Sequence, residues 1–195
     1  MRIESVCVFC GSDRGTKPVY EATARAMGKL LAERGVRLVY GGGNIGLMGV
    51  VADAAMGSGG TVVGVIPKAL ADKELAHHGI TELYVVESMH ERKSKMASLS
   101  DAFVALPGGY GTLEEFCEIV TWSQLGIHAK PVGLLNVEGY YDAMLRQFDH
   151  GVAESFIRPQ HRDLVLASDT PDGLFGQLAS YTPSVSEKWI TDAET

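Results

Sequence analysis

Three glycines and two carboxylates crowd into nine residues, "PGGYGTLEE", from Pro107 to Glu115. Glycine at 108, 109 and 111 lets the backbone aim several N–H groups at one point and lets a ligand come close. The helix predicted from Thr112 to Leu125 adds the positive end of its dipole. Such a place suits a phosphate. Carboxylates repel phosphates, so Glu114 and Glu115 call for a different partner beside it. Thr112 and Glu115 also have the T-x-x-E spacing of a capping box, in which Glu115 would only satisfy the helix end. Taken locally, capping and chemistry weigh equally.

A second stretch, "SMHERKSKMASLS", supplies a cation. Met89, Arg92, Met96 and Leu99 recur every three or four residues, so Arg92 falls on the apolar stripe of a helix from about Ser88 to Ser100. A buried guanidinium needs a carboxylate or a phosphate. The plainer alternative is a stem that packs while its head reaches solvent. This helix precedes the strand that delivers Pro107. A crossover brings its N-terminal end to the same sheet edge if the helix is short or its entry loop long. A cation and a carboxylate would then converge on a glycine cradle.

The elements that must hold these residues alternate. Short β-branched runs, "SVCVF", "VRLVY", "TVVGVI", "ELYVVE", "AFVAL", "PVGLLN" and "LVLAS", read as strands. Between them lie helix-length runs: Pro18 to Arg34, Gly46 to Gly59, a shorter piece from Lys68 to His77, and Tyr140 to Glu154. A last helix is expected in "TPDGLFGQLAS". Near-continuous Val, Ile and Leu in the strands means burial on both faces. The expectation is an α/β fold, a Rossmann-like doubly wound parallel sheet flanked by helices. Residues 1–181 are expected to form a single domain, with 182–195 as a tail. Ligands in such sheets bind beyond the carboxyl ends of the strands, where "CGSDRG", "YGGGNIG" and "LPGGYGT" all fall.

"GGGNIG", Gly41 to Gly46, matches G-x-G-x-x-G, but a dinucleotide site needs an acid about 20 residues on. Pro67 and Lys68 stand there instead. A wall of a shared pocket is the preferred reading, above a mere tight turn. No G-K-[ST] follows any glycine run, which excludes a Walker loop.

The chain of 195 residues carries 17 basic and 24 acidic side chains, a net charge of -7. With no basic run, it is not expected to bind nucleic acid. No apolar stretch reaches membrane length, and the N-terminus does not read as a signal peptide. Cys7 and Cys10 form a C-x-x-C, but Cys7 lies inside a strand pattern rather than at a helix start. Reduced cysteines in a cytoplasmic protein are expected. No metal is expected, and His77, His78 and His90 read as surface residues.

"PGGYGTLEE", "MHERK", "GGGNIGLMG" and "TWSQLGIHAKPVGLLN" together closely resemble the LOG family, the cytokinin riboside 5'-monophosphate phosphoribohydrolases, sometimes mislabelled lysine decarboxylases. The motif P-G-G-x-G-T-x-x-E is matched throughout, and M-x-x-R-K is matched by Met89, Arg92 and Lys93. The resemblance implies hydrolysis of the N-glycosidic bond of a nucleoside 5'-monophosphate, releasing a free base and ribose 5-phosphate, without a cofactor. It implies Arg92 and Glu115 as the catalytic pair. It further implies substrate contacts from Glu74, Lys93, Gly109, Tyr110, Gly111, Thr112, Leu113, Glu114 and Thr121, with Ser12 and Asn44 as weaker pocket-wall candidates. It favours a homodimer. Adenine nucleotides are expected to be preferred, with Met89, Leu113 and Tyr110 against the base.

A decarboxylase would need a Schiff-base lysine, and nothing singles one out. The alternative is a molybdenum-cofactor carrier, which needs the cradle but not both Arg92 and Glu115.

Overall fold

The computed structural model describes residues 2–73 and 75–183. Glu74 and most of the expected tail, residues 184–195, lie outside the described residues. The strands are β1 (Ser5–Phe9), β2 (Arg37–Tyr40), β3 (Val62–Pro67), β4 (Glu82–Val86), β5 (Ala102–Ala105), β6 (Val132–Leu135) and β7 (Val165–Ser168). They form one seven-stranded sheet in the order β4-β3-β2-β1-β5-β6-β7. All pairings are parallel. The expected doubly wound α/β sheet is therefore the observed one.

The helices are α1 (Pro18–Glu33), α2 (Gly46–Gly57), α3 (Lys68–Ala71), α4 (Met89–Ser98), α5 (Tyr110–Gln124), α6 (Asp142–Ala153), α7 (Pro159–Arg162) and α8 (Pro171–Ser180). Alternation along each strand separates two cores. Val6, Val8 and Cys10 face Met27 and Leu31 of α1, Val50 and Val51 of α2, and Leu174 of α8. Cys7 and Phe9 face Met96 of α4, Phe116 and Ile119 of α5, and Tyr141 before α6. Cys7 and Cys10 thus serve opposite faces of the sheet, both as free buried thiols.

Chain order reverses direction at β1. Strands β2 to β4 build outward on one side, while β5 to β7 build outward on the other. The loops after β1 and β5 therefore part at their carboxyl ends, which is where such sheets open a crevice. Val8 pairs with Val104 and Phe9 with Ala105, so the two strands end level.

One expected helix is shorter than its pattern. The piece from Lys68 to His77 winds only to Ala71. The chain then turns back onto the glycine loop. Ala76 bridges Gly43, Asn44 N donates to Leu75 O at 3.0 Å, and His77 N donates to Gly42 O at 2.8 Å. Those backbone groups find non-local partners and leave the helix.

Candidate active site

Ser88 sets the start of α4. Its side chain accepts from Glu91 N, and Glu91 Oε2 accepts from Glu87 N at 2.9 Å. A Ser-x-x-Glu cap is in place here. Only two residues, Glu87 and Ser88, separate β4 from the helix, so no long entry loop is needed. Its first two turns lie at the carboxyl edge of the sheet, as do those of α5. Arg92 and Glu115 each stand in an early turn of these two helices.

The Arg92 guanidinium is buried rather than drawn to solvent. Its Nε donates to Val65 O of β3 at 3.1 Å, and its Nη1 donates to Glu115 Oε1 at 2.7 Å. Side-chain exposure is 10% for each partner. The apolar-stripe reading put Arg92 inside, and the carboxylate it requires is Glu115. Burial raises the Glu115 carboxyl above its ordinary pKa. The Arg92 cation opposes this, and the neighbouring Glu114 reinforces it.

The capping reading of Thr112 and Glu115 does not hold. Helix α5 starts two residues before Thr112, with Gly109 as its N-cap and no side-chain cap. Leu113 N makes the first helical bond, to Gly109 O at 3.1 Å. The N–H groups of Tyr110, Gly111 and Thr112 precede it and, as at any helix start, have no partner within the helix. Glu115 is one turn too late to cap.

The glycine turn is held tightly from behind. Gly11 N donates to Pro107 O at 3.0 Å, and a β-carbon at Gly108 would meet Gly11 N at 2.8 Å. Tyr141 donates its hydroxyl to Leu106 O, and Tyr140 donates to Gly108 O, both at 2.6 Å. On the open side, a β-carbon at Gly109 or Gly111 would meet nothing within 4 Å. The turn is thus packed at Gly108 and free at Gly109 and Gly111, facing a cleft of about 240 Å³.

One wall of the cleft is Gly109, Tyr110, Gly111, Thr112 and Glu115. The floor is the end of β1 with Cys10, Gly11 and Ser12, and the far wall is Gly41, Met48 and Arg92. The arrangement offers amide donors at one end and a buried, guanidinium-paired carboxylate further along. It can hold an anion while a carboxylate faces a neighbouring electron-poor centre.

The remaining expected contacts are placed differently. Lys93 is buried behind the cleft, bonded to Glu114 and, at 3.0 Å, to Glu118. Burial works against its ammonium, but the two carboxylates together outweigh it and raise its pKa. Leu113 is half-buried against the core on the α4–α5 side of the sheet. Thr121 is exposed and donates to Cys117 O. Neither residue borders the cleft, nor do Asn44 and Met89. Met89 is 45% exposed. Gly41 belongs to the glycine run expected to form a pocket wall, Cys10 is expected only as a reduced thiol, and Met48 is not singled out from the sequence. Cys10 and Gly41 reach the cleft from the loops after β1 and β2, and Met48 from the first turn of α2. Among the described residues, no group of three or more His, Cys, Asp or Glu could hold a metal ion. No helix there is long and apolar enough to cross a membrane.

An α/β fold with this cleft at its switch point has known relatives. Residues 48–178 match the family model described as "possible lysine decarboxylase". The chain is 50% identical to the cytokinin riboside 5'-monophosphate phosphoribohydrolase LOG of Oryza sativa subsp. japonica, over 98% of this chain and 79% of that protein. It is likewise 50% identical to LOG7, of the same name, from Arabidopsis thaliana, over 95% of this chain and 86% of that protein. Among solved structures, the molybdenum cofactor binding protein of Rippkaea orientalis superposes with a TM-score of 0.70 at 22% identity, covering 92% of this chain and 98% of that one. The molybdenum cofactor carrier protein of Chlamydomonas reinhardtii gives 0.69 at 23%, covering 92% and 100%. These last two likenesses show a shared fold alone. The chain belongs to the LOG family, whose model carries the lysine decarboxylase description.

Proposed function

We propose that this protein hydrolyses the N-glycosidic bond of adenosine 5'-monophosphate and its N6-modified forms, releasing the free base and ribose 5-phosphate. The observation that carries this reading is the buried Arg92–Glu115 pair beside the open amides of α5, in one cleft. The names of the close relatives support it.

The 5'-phosphate accepts from the N–H groups around Gly109, Tyr110, Gly111 and Thr112. This anchors the ribose beside Glu115. As the C1'–N bond breaks, its electron pair leaves with the base and positive charge builds on the sugar, as in glycoside hydrolysis. The Glu115 carboxylate stabilises that charge and takes a proton from the water that adds to C1'. The base nitrogen takes up a proton as it leaves. Arg92 holds Glu115 ionised and oriented. Lys93 and Glu114 brace it from behind, and Leu113 fixes α5 to the core. Thr121 and Glu74 remain substrate contacts by family resemblance only.

A carrier of a phosphorylated pterin, the runner-up, would use the amides but has no need of a buried ion pair. Incubation with AMP tests the choice directly. Free adenine and ribose 5-phosphate in equal amounts support hydrolysis, and bound but unchanged nucleotide supports a carrier.

The working form is taken to be a cytoplasmic homodimer. The family resemblance and the exposed apolar side chains Val85, Met89 and Tyr110 around α4 and the start of α5 support the dimer. A monomer by light scattering at micromolar concentration would reject it.

A further inference from the structure

The hydrolytic reading gives the glycine run after β2 no task beyond lining a wall. A β-carbon built at Gly41 would stand 2.0 Å from Arg92 Nη2 and 3.2 Å from Arg92 Cζ. The guanidinium fills the space that any other residue's side chain would need. Its other nitrogens are already committed, Nε to Val65 O and Nη1 to Glu115. Gly41 itself has an ordinary backbone, whereas its neighbour Gly42 has a φ of 74°. Apart from Arg92, the nearest atom to a β-carbon at 41 is Met48 Sδ, at 3.4 Å, which is ordinary contact. So only the arginine calls for glycine here.

We infer that Gly41 is a positioning residue, whose missing side chain is the slot that holds the Arg92 guanidinium against Glu115. The inference rests on the hydrolytic reading for its functional meaning. The guanidinium is a rigid planar fork. A methyl group at 41 that pushes Nη2 aside therefore moves Nη1 off Glu115 as well. The charged and titratable groups around Glu115 are Arg92 and Lys93 on α4, Glu114 on its own helix, and the thiols of Cys7 on β1 and Cys10 just after it. Burial lifts the Glu115 pKa, and Arg92 is the largest opposing influence. Displacing Arg92 leaves a carboxyl that holds its proton to higher pH and faces the sugar less squarely. At the third glycine of the run, Gly43, a β-carbon would meet Met48 Cε at 2.9 Å, and its three nearest atoms belong to Met48 and Leu75, not to the pair.

The test is Gly41→Ala, alone and beside Arg92→Lys, whose ammonium has no second terminal nitrogen to be struck. Two readouts are taken: the Glu115 titration by carboxyl carbon NMR, and kcat and KM for AMP. In the wild-type background, Gly41→Ala is expected to raise the Glu115 midpoint by about one unit or more. It lowers kcat by about tenfold to a hundredfold with KM little changed. Beside Arg92→Lys, both effects shrink, because the two positions are coupled. An unmoved Glu115 midpoint in Gly41→Ala overturns the inference. So does a shift that recurs undiminished beside Arg92→Lys. Where Gly41→Ala alone does not fold, as loss of the buried pair would allow, recovery of folding beside Arg92→Lys supports the inference and continued failure there overturns it. The NMR titration needs no turnover, so it decides the positioning role even if AMP is not cleaved and the hydrolytic reading fails.

Discussion

Arg92 and Glu115 stand on consecutive long helices, 23 residues apart in sequence, and their charged ends meet at 2.7 Å inside the protein. Neither group is tolerable there alone. An unpaired buried charge is costly, and each supplies the other's counter-charge. The pair also borders the cleft that the amides of α5 open onto. Two buried charges beside a ligand-sized space are hard to explain as scaffolding, since apolar residues would fill that volume as well.

Replacing either partner separates chemistry from stability. Glu115→Gln keeps a carbonyl oxygen for Arg92 Nη1 but not its counter-charge, so it is expected to fold with a smaller loss of stability than Arg92→Ala. It is expected to lower kcat for AMP by about a hundredfold or more, the usual worth of a general base. Arg92→Ala leaves a buried carboxylate without its partner and is expected to cost on the order of 3 kcal/mol of stability as well as activity. Steady-state kinetics and urea unfolding, measured on both variants, check the two expectations. Near wild-type turnover in either variant removes the catalytic assignment.

The raised pKa of Glu115 has a direction in kinetics. Only the ionised carboxylate can take a proton from water. Activity is therefore present above the Glu115 pKa and falls as pH drops through it. Burial places that fall above the pH where an ordinary glutamate titrates. The acid limb of kcat/KM for AMP is expected there. An acid limb at the ordinary glutamate position would mean that Glu115 is not the base.

Much of this site is legible in the sequence because its signals are local. Glycine spacing marks the turn, and the three-and-four spacing of Met89, Arg92 and Met96 puts the arginine inside. The strands declare a parallel sheet because both their faces are apolar. What escapes is whatever depends on distant partners. The segment after Ala71 has helical composition but pairs with Gly42 to Asn44, which no window of sequence reveals. The T-x-x-E spacing suggested a cap, yet α5 gains two earlier residues because Gly109 can serve as its N-cap. Met89 and Leu113 looked suited to a base-binding wall, but Met48 and Gly41 form the far wall, brought there from the loop after β2 and the start of α2.

At the opposite end of the sheet, His128 sets a stability limit in acid. Its Nε2 bonds to Ile119 O at 3.0 Å, and Lys130 N donates to its Nδ1 at 3.1 Å, so the ring sits neutral between them. Burial depresses its pKa from 6.5 to about 4. The unfolded chain takes up this proton first as pH falls. The contribution of His128 is therefore complete above pH 6.5 and is lost progressively down to about pH 4. By linkage it amounts to about 3 kcal/mol at most. Urea midpoints measured across this range are expected to fall with pH in the wild type and to flatten in His128→Gln. Parallel slopes would assign the acid loss elsewhere.

The glycine turn predicts that the 5'-phosphate governs turnover. Tyr140 and Tyr141 pin its backbone from behind through Gly108 and Leu106, so the turn is formed before any ligand arrives. Its donors are backbone N–H groups, which no substitution removes, but a side chain can block them. Gly109 has open space where a β-carbon would go, and that space belongs to the cleft. Its φ of -92° is open to other residues, so Gly109→Val is expected to fold normally. The valine side chain then projects to where the phosphate would sit. Wild-type protein is expected to cleave AMP at least about a hundredfold more efficiently than adenosine, the scale of an anchoring contact that fixes the reacting bond. Gly109→Val is expected to lose most of its AMP turnover while its thermal midpoint stays near that of the wild type. Side-by-side kcat/KM values for AMP and adenosine on both proteins decide the matter. Equal efficiency on the two substrates would mean that the amides of α5 hold some group other than the phosphate.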